Sequence, residues 1–179
     1  RSVVLEGPQQ ILQRKGIAKF DPLHGCQWAF FLYSISNCMF KSGCGAVCDK
    51  VYALSKALCG ADLFYEVDLP EIFTFDHPLG AVMGRASYGD YFTFGQGCTV
   101  GNNHGVYPTF GKSVFMLSDS KVIGGTVIGD NVIIGANSYV KDEKIPSGSL
   151  VFGSSPNLVV KTGRDDYVRA YAEKVFIYE

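Results

Sequence analysis

From about residue 70 the chain repeats itself every six residues. That period fits neither an isolated helix nor a simple alternating strand, and self-similarity at a short fixed step marks a solenoid. Val82-Met-Gly-Arg-Ala-Ser, Tyr88-Gly-Asp-Tyr-Phe-Thr, Phe94-Gly-Gln-Gly-Cys-Thr and Val100-Gly-Asn-Asn-His-Gly follow without a break, each opening on a large apolar residue. An insertion, Val106-Tyr107-Pro108-Thr109, shifts the frame, and the register resumes at Phe110, Met116, Val122, Ile128, Ile134 and Val140. Each opening residue is expected to point inward. The next position is often glycine (Gly89, Gly95, Gly101, Gly111, Gly129, Gly135), expected at tight corners that need unusual backbone angles. Glycine is in excess, 21 of 179 residues, and 14 of these lie between Gly80 and Gly153. They follow no every-third pattern, which excludes collagen.

Upstream the period is helical. Trp28, Phe31, Leu32, Ile35 and Met39 fall on one helix face, and Val47, Val51, Leu54 and Leu58 repeat the pattern. Two packed helices stopped by Gly60 are expected, with both stripes in the core. Lys plus Arg number 16 against 17 for Asp plus Glu, so the charge balance gives no nucleic-acid footprint. The uncharged stretch between Asp21 and Lys41 is broken by Pro22, His24, Gly25, Gln27, Ser34, Ser36 and Asn37, which argues against a membrane span. Cys26, Cys38, Cys44, Cys48, Cys59 and Cys98 read as free thiols of a reducing, cytoplasmic compartment. Cys38, Cys44 and Cys48 lack the CxxC or histidine spacing of a zinc clip, so no metal is expected.

These repeats resemble the hexapeptide-repeat acyltransferases. The resemblance implies a mainly β fold: a left-handed parallel β-helix of triangular section, three hexapeptides per coil, with an N-terminal α-helical region and a C-terminal helix. The ten frames from 82 to 145 make about three and a third coils. The expected organisation is a helical region at 1–61, the β-helix acetyltransferase domain at 62–160, and a helical tail at 161–179. Within the class the resemblance is to serine acetyltransferases, over roughly residues 60–160.

Asp76-His77 followed by Gly80, Val82 and Gly84 is similar to that family's Asp-His-x-x-Gly-x-Val-x-Gly segment, whose histidine is the general base. Asp62 stands at the offset of the aspartate that pairs with this histidine. Such a carboxylate fixes the imidazole tautomer and leaves the other nitrogen free to accept a proton. The implied reaction moves the acetyl group of acetyl-CoA to a small-molecule hydroxyl, with His77 and Asp62 catalytic and Asp76 binding the acceptor. The family's second histidine is replaced by Tyr107, and His104 lies three residues earlier, so both are candidate acceptor contacts. For acetyl-CoA the resemblance points to Gly101 and Asn102 near the oxyanion and to Ser118, Ser120, Gly135 and Ala136 along the coils, with Lys121, Lys161 and Arg164 the candidate cations for its phosphates.

L-serine is the first acceptor this implies. The short helical region and altered histidine loop make a sugar or polysaccharide precursor the alternative. A zinc hydratase sharing the fold needs three histidine ligands, and His24, His77 and His104 do not supply a matching set. A non-catalytic β-helix assembly module is the reading from another class. The expected partners are acetyl-CoA, the acceptor, and two further copies in a homotrimer with sites between subunits, without nucleic acid or membrane.

Overall fold

The computed structural model describes residues 20–21 and 24–176. The expected terminal regions therefore lie partly outside the described residues. Two helices, α1 (Gly25–Lys41) and α2 (Gly45–Cys59), precede a run of short strands, and one helix, α3 (Asp165–Ala172), follows. The strands are β1 (Asp62–Leu63), β2 (Phe73–Phe75), β3 (Val82–Met83), β4 (Phe92–Phe94), β5 (Thr99–Gly101), β6 (Thr109–Phe110) and β7 (Val114–Met116), then β8 (Lys121–Ile123), β9 (Val127–Ile128), β10 (Val132–Ile134), β11 (Tyr139–Lys141), β12 (Lys144–Ile145), β13 (Ser149–Ser154) and β14 (Asn157–Lys161).

From β1 to β13 each strand pairs in parallel with the strand one coil away, producing three faces. The first stacks β1, β3, β5, β8 and β11; the second β6, β9 and β12; the third β2, β4, β7, β10 and β13. The inward residues form continuous columns: Leu63, Met83, Val100, Val122 and Val140; Phe110, Ile128 and Ile145; Phe75, Phe94, Met116, Ile134 and Val151. The expected inward positions from Phe94 onward are buried. Val82 is not: it is 41% exposed and its neighbour Met83 is buried. Val82 pairs with Asp62 and Met83 with Leu63, so the inward frame begins one residue later than the repeat suggests. Strands of the solenoid precede the first hexapeptide frame, from β1 at Asp62 onward, and the stack makes about five turns rather than three and a third.

Positive φ angles fall into three ladders, one per corner. Gly80, Gly97, Asp119 and Asn137 lie between the third and first faces; Gly124 and Asp142 between the first and second; Tyr91, Ser113, Asn131 and Gly148 between the second and third. The six second-position glycines are not among them, which corrects the expectation of unusual angles. At Gly89, Gly111, Gly129 and Gly135 the requirement is space: a Cβ on Gly111 would lie 2.7 Å from the Gly129 carbonyl carbon, in the next coil.

The helices form a hairpin on the first coil. Gly60 ends α2 in the left-handed conformation, its N–H bonding the Lys56 carbonyl at 3.0 Å. The buried flank consists mainly of small and polar residues, Ala29, Ser36, Cys48, Ser55 and Cys59, with Leu32 and Tyr33. Phe31, Ile35, Val47, Leu54 and Leu58, expected in the core, face outward instead. The coil engages α1 through Phe30, which stacks on Phe73 at 5.2 Å, and Tyr33, which meets the same ring edge-on. The Tyr33 hydroxyl donates to the Val67 carbonyl at 2.7 Å and accepts the Leu69 N–H at 3.0 Å; burial pushes its phenol up to about 12. Tyr33→Phe leaves both backbone groups unpaired and is expected to cost about 1–3 kcal/mol in denaturant unfolding.

At the other end α3 lies on the outside of the third face, with Val168, Ala172 and Phe176 packed on Phe115 and Ile133. β14 pairs antiparallel with β13.

Candidate active site

His77 lies at the corner between the third and first faces, where the chain leaves β2 and turns toward β3, just ahead of Gly80, the first rung of the ladder there. The φ of His77 is +46, a conformation a non-glycine residue holds only when its surroundings dictate it. The helical hairpin supplies those surroundings. The Gly80 N–H donates to the Gly60 carbonyl at 2.8 Å, fixing the corner to the end of α2. The Cys26 thiol of α1 sits against the His77 backbone N–H; burial pushes that thiol up, and the N–H opposes the shift. The imidazole itself is open, 79% exposed.

Its Nε2 lies 3.4 Å from Oδ1 of Asp76. The expected pairing with Asp62 is not made. The Asp62 carboxylate accepts hydrogen bonds from the Tyr52 hydroxyl and from Lys56 Nζ, the latter at 2.8 Å. Both donors come from the last turns of α2, which stands directly over β1. Tyr52 and Lys56 were not legible as site neighbours, since no spacing ties them to Asp62 until the hairpin is placed. Tyr171 of α3 was also missed: burial raises its phenol, and the nearby Asp76 charge adds to the shift.

His104 and Tyr107 occupy a different corner, between the first and second faces. Asn103 and Val106 exchange backbone hydrogen bonds at 3.0 Å, and His104 and Gly105 between them have φ +51 and +80, the two positive angles of a type I′ hairpin. The insertion is thus a short hairpin projecting from the corner, with His104, Val106 and Tyr107 exposed. Gly101 and Asn102 lead into it, and the Asn102 side chain accepts the Gly105 N–H at 3.2 Å.

Ser118, Ser120, Gly135 and Ala136 stack below His77 on its own corner. Ser120 is fully buried, its hydroxyl 3.5 Å from the Cys98 sulfur, so it is not available to a ligand, a correction to its expected role. Cys98 also points to the carbonyls of Met116 and Leu117, in keeping with the packing role expected for it. Gly135 lies beneath the Phe152 ring, where a Cβ would meet Cδ1 at 2.6 Å. Lys161 extends over the same ring at 5.6 Å. Lys121 Nζ donates to the Asp119 carbonyl at 3.0 Å. Ala136 at the corner and Lys161 on β14 are exposed, and Lys121 is half-buried. Among the described residues no cluster of three His, Cys, Asp or Glu forms a metal site, and no helix is long and apolar enough to cross a membrane.

No family model matches the chain. It is 27% identical to serine acetyltransferase of Helicobacter pylori over 138 residues, 74% of this chain and 80% of that protein. It is 33% identical to serine acetyltransferase of Synechococcus elongatus over 115 residues, covering 62% of this chain and 47% of that protein. Among solved structures, serine acetyltransferase of Neisseria gonorrhoeae in complex with serine superposes with a TM-score of 0.65 at 24% identity, over 73% of this chain and 55% of that one. A serine acetyltransferase complex with cysteine gives 0.72 at 18% identity, over 84% and 60%. The chain thus spans only about half to four-fifths of these proteins.

Coil stacking and these likenesses together indicate the class: an acyltransferase similar to the hexapeptide-repeat enzymes, its parallel solenoid consistent with a left-handed β-helix. That decides against the assembly-module reading. Within the class its similarity runs to the serine O-acetyltransferases.

Proposed function

We propose that the chain is an acetyl-CoA-dependent O-acetyltransferase with His77 as general base. The single observation that carries this reading is the placement of His77: held by a strained corner, open to solvent, and flanked by the Asp76 carboxylate. His77 takes the proton of the acceptor hydroxyl as its oxygen bonds to the acetyl carbonyl carbon. The carbon–sulfur bond breaks, and the same imidazole returns the proton to the departing thiolate. Serine is the acceptor named for the relatives and is the reference acceptor here.

His77 and the His104 hairpin stand on different corners of one prism, so one chain does not bring them together. A homotrimer in which the first corner of one subunit meets the second corner of its neighbour would do so, with the third face already covered by α3. Acetyl-CoA would then lie along the column below His77, with Ala136 and Lys121 beside it and Lys161 reaching its phosphates. Helices α1 and α2 support the site corner, and α3 lies on the outside of the third face.

Two carboxylates are available to orient the base, Asp62 and Asp76. Because Asp76 is the one set against the imidazole, Asp76→Asn is expected to lower kcat/KM about tenfold more than Asp62→Asn, read by thiol release from acetyl-CoA. Equal losses would return the orienting role to Asp62. The reading as a whole is tested by thiol release with serine, homoserine and sugars, and turnover no faster than hydrolysis with every acceptor would refute it.

A further inference from the structure

We propose that Cys26 is a positioning residue, its sulfur the acceptor that holds the His77 backbone in place. This rests on the reading of His77 as the base and adds a residue that acts through it.

The corner that carries His77 is longer than those below it. Four residues, Asp76 to Leu79, separate Phe75 from the rung at Gly80; each later coil places two there, Gly95 and Gln96, Leu117 and Ser118, Gly135 and Ala136. The extra pair makes the corner bulge, and His77 stands on the bulge. On the later coils the rung is secured from above: the Gly97 N–H donates to the Leu79 carbonyl at 3.0 Å, Asp119 to Gln96 at 2.8 Å and Asn137 to Ser118 at 3.0 Å. Above the first coil stand the helices, and they take over as acceptors. The Gly60 carbonyl at the end of α2 receives the Gly80 N–H, and the Cys26 sulfur near the start of α1 receives the His77 N–H.

No backbone carbonyl among the described residues accepts that His77 N–H, so the thiol is its partner. The acceptor is rigid. Phe30 stacked on Phe73 and the bonds of the Tyr33 hydroxyl to Val67 and Leu69 fix α1 to the first coil, and Cys26 itself packs against the core. A backbone at φ +46 persists only where its surroundings over-determine it, and Pro78 narrows the angles open to His77 further. Without the sulfur the bulge is free to relax toward negative φ, which swings the imidazole away from its place beside Asp76. Sulfur is a weak acceptor, so the contact adds little to stability; what it fixes is direction.

The test compares Cys26→Ala, which has no acceptor, with Cys26→Ser, which keeps one, in the full chain by thiol release from acetyl-CoA with serine. Cys26→Ala is expected to lower kcat about tenfold with KM for acetyl-CoA within about twofold of the parent, and Cys26→Ser to recover to within about threefold. The Cys26→Ala loss is expected to vanish in the His77→Ala background, because the two residues act as one unit. A kcat for Cys26→Ala within about twofold of the parent, Cys26→Ser no better than Cys26→Ala, or an undiminished loss in the His77→Ala background would each overturn the proposal. If His77→Ala leaves turnover intact, the reading of His77 as base fails on its own, and exchange of the His77 amide proton, followed by NMR, judges the contact. Faster exchange in Cys26→Ala but not in Cys26→Ser supports the role of the sulfur; unchanged exchange in both overturns it.

Discussion

Replacing His77 by alanine is expected to reduce acetyl transfer at least about a hundredfold, the lower end of what a positioned general base contributes. The change should leave the fold intact. The imidazole is mostly solvent-exposed and packs against nothing in the core, so unfolding midpoints should move little. One structural effect works in the variant's favour: alanine at φ +46 is no less strained than histidine, so relief of strain does not explain any change. The decisive comparison is His77→Ala beside His104→Ala in the same thiol-release assay, with far-ultraviolet circular dichroism on both. A rate within a few-fold of the parent for His77→Ala would place the base elsewhere, and the hairpin histidine would be the next group to examine.

The second large effect concerns the coil and not the chemistry. Gly111→Val is expected to cost about 3 kcal/mol or more, at the upper end of the overpacking range. Any Cβ there would press on Gly129 and on the Asp130 backbone nitrogen at 2.8 Å, and neither can move without opening the β6–β9 pairing beside it. Gly105→Ala provides the contrast. Nothing lies within 4 Å of that position, and its only penalty is φ +80, a cost of about 1 kcal/mol. Denaturant unfolding of the two variants separates coil spacing from backbone angle as the reason for glycine. Equal losses would show that coil spacing is not what requires glycine at 111.

The repeat was legible because inward positions from Phe94 to Val140 must fill one narrow core, and only large apolar residues at fixed steps do so. Its beginning was hidden. Leu63 and Phe73 to Phe75 belong to the first coil, but the segment joining them, Phe64 to Ile72, carries no hexapeptide step. Glycine positions were visible and their reason was not, because close approach between coils leaves the same residue type as a left-handed turn. The helices were read correctly as helices. Their inward side was not, since the Phe31 and Leu54 stripes are more apolar than the Ala29, Ser36 and Ser55 flank that is actually buried. Small residues let the two helices approach, and periodicity of hydrophobicity is blind to that. At the site, the Asp76-His77 pair could be located from its motif. The partners of Asp62 depend on how α2 crosses β1, a tertiary fact with no local signature.

The reversal of direction at β14 bears on assembly. A stack of parallel coils ends in a row of unpaired backbone groups, a ready template for the next coil or for another molecule. Running antiparallel along β13 from Leu150 to Ser154, β14 occupies those groups with a strand that offers no continuation of the coil. The first coil is overlaid at its far end by α2 on β1. Growth along the prism axis is thereby blocked at both ends, and association is directed sideways, onto the faces and corners where a finite ring can close instead of a fibre.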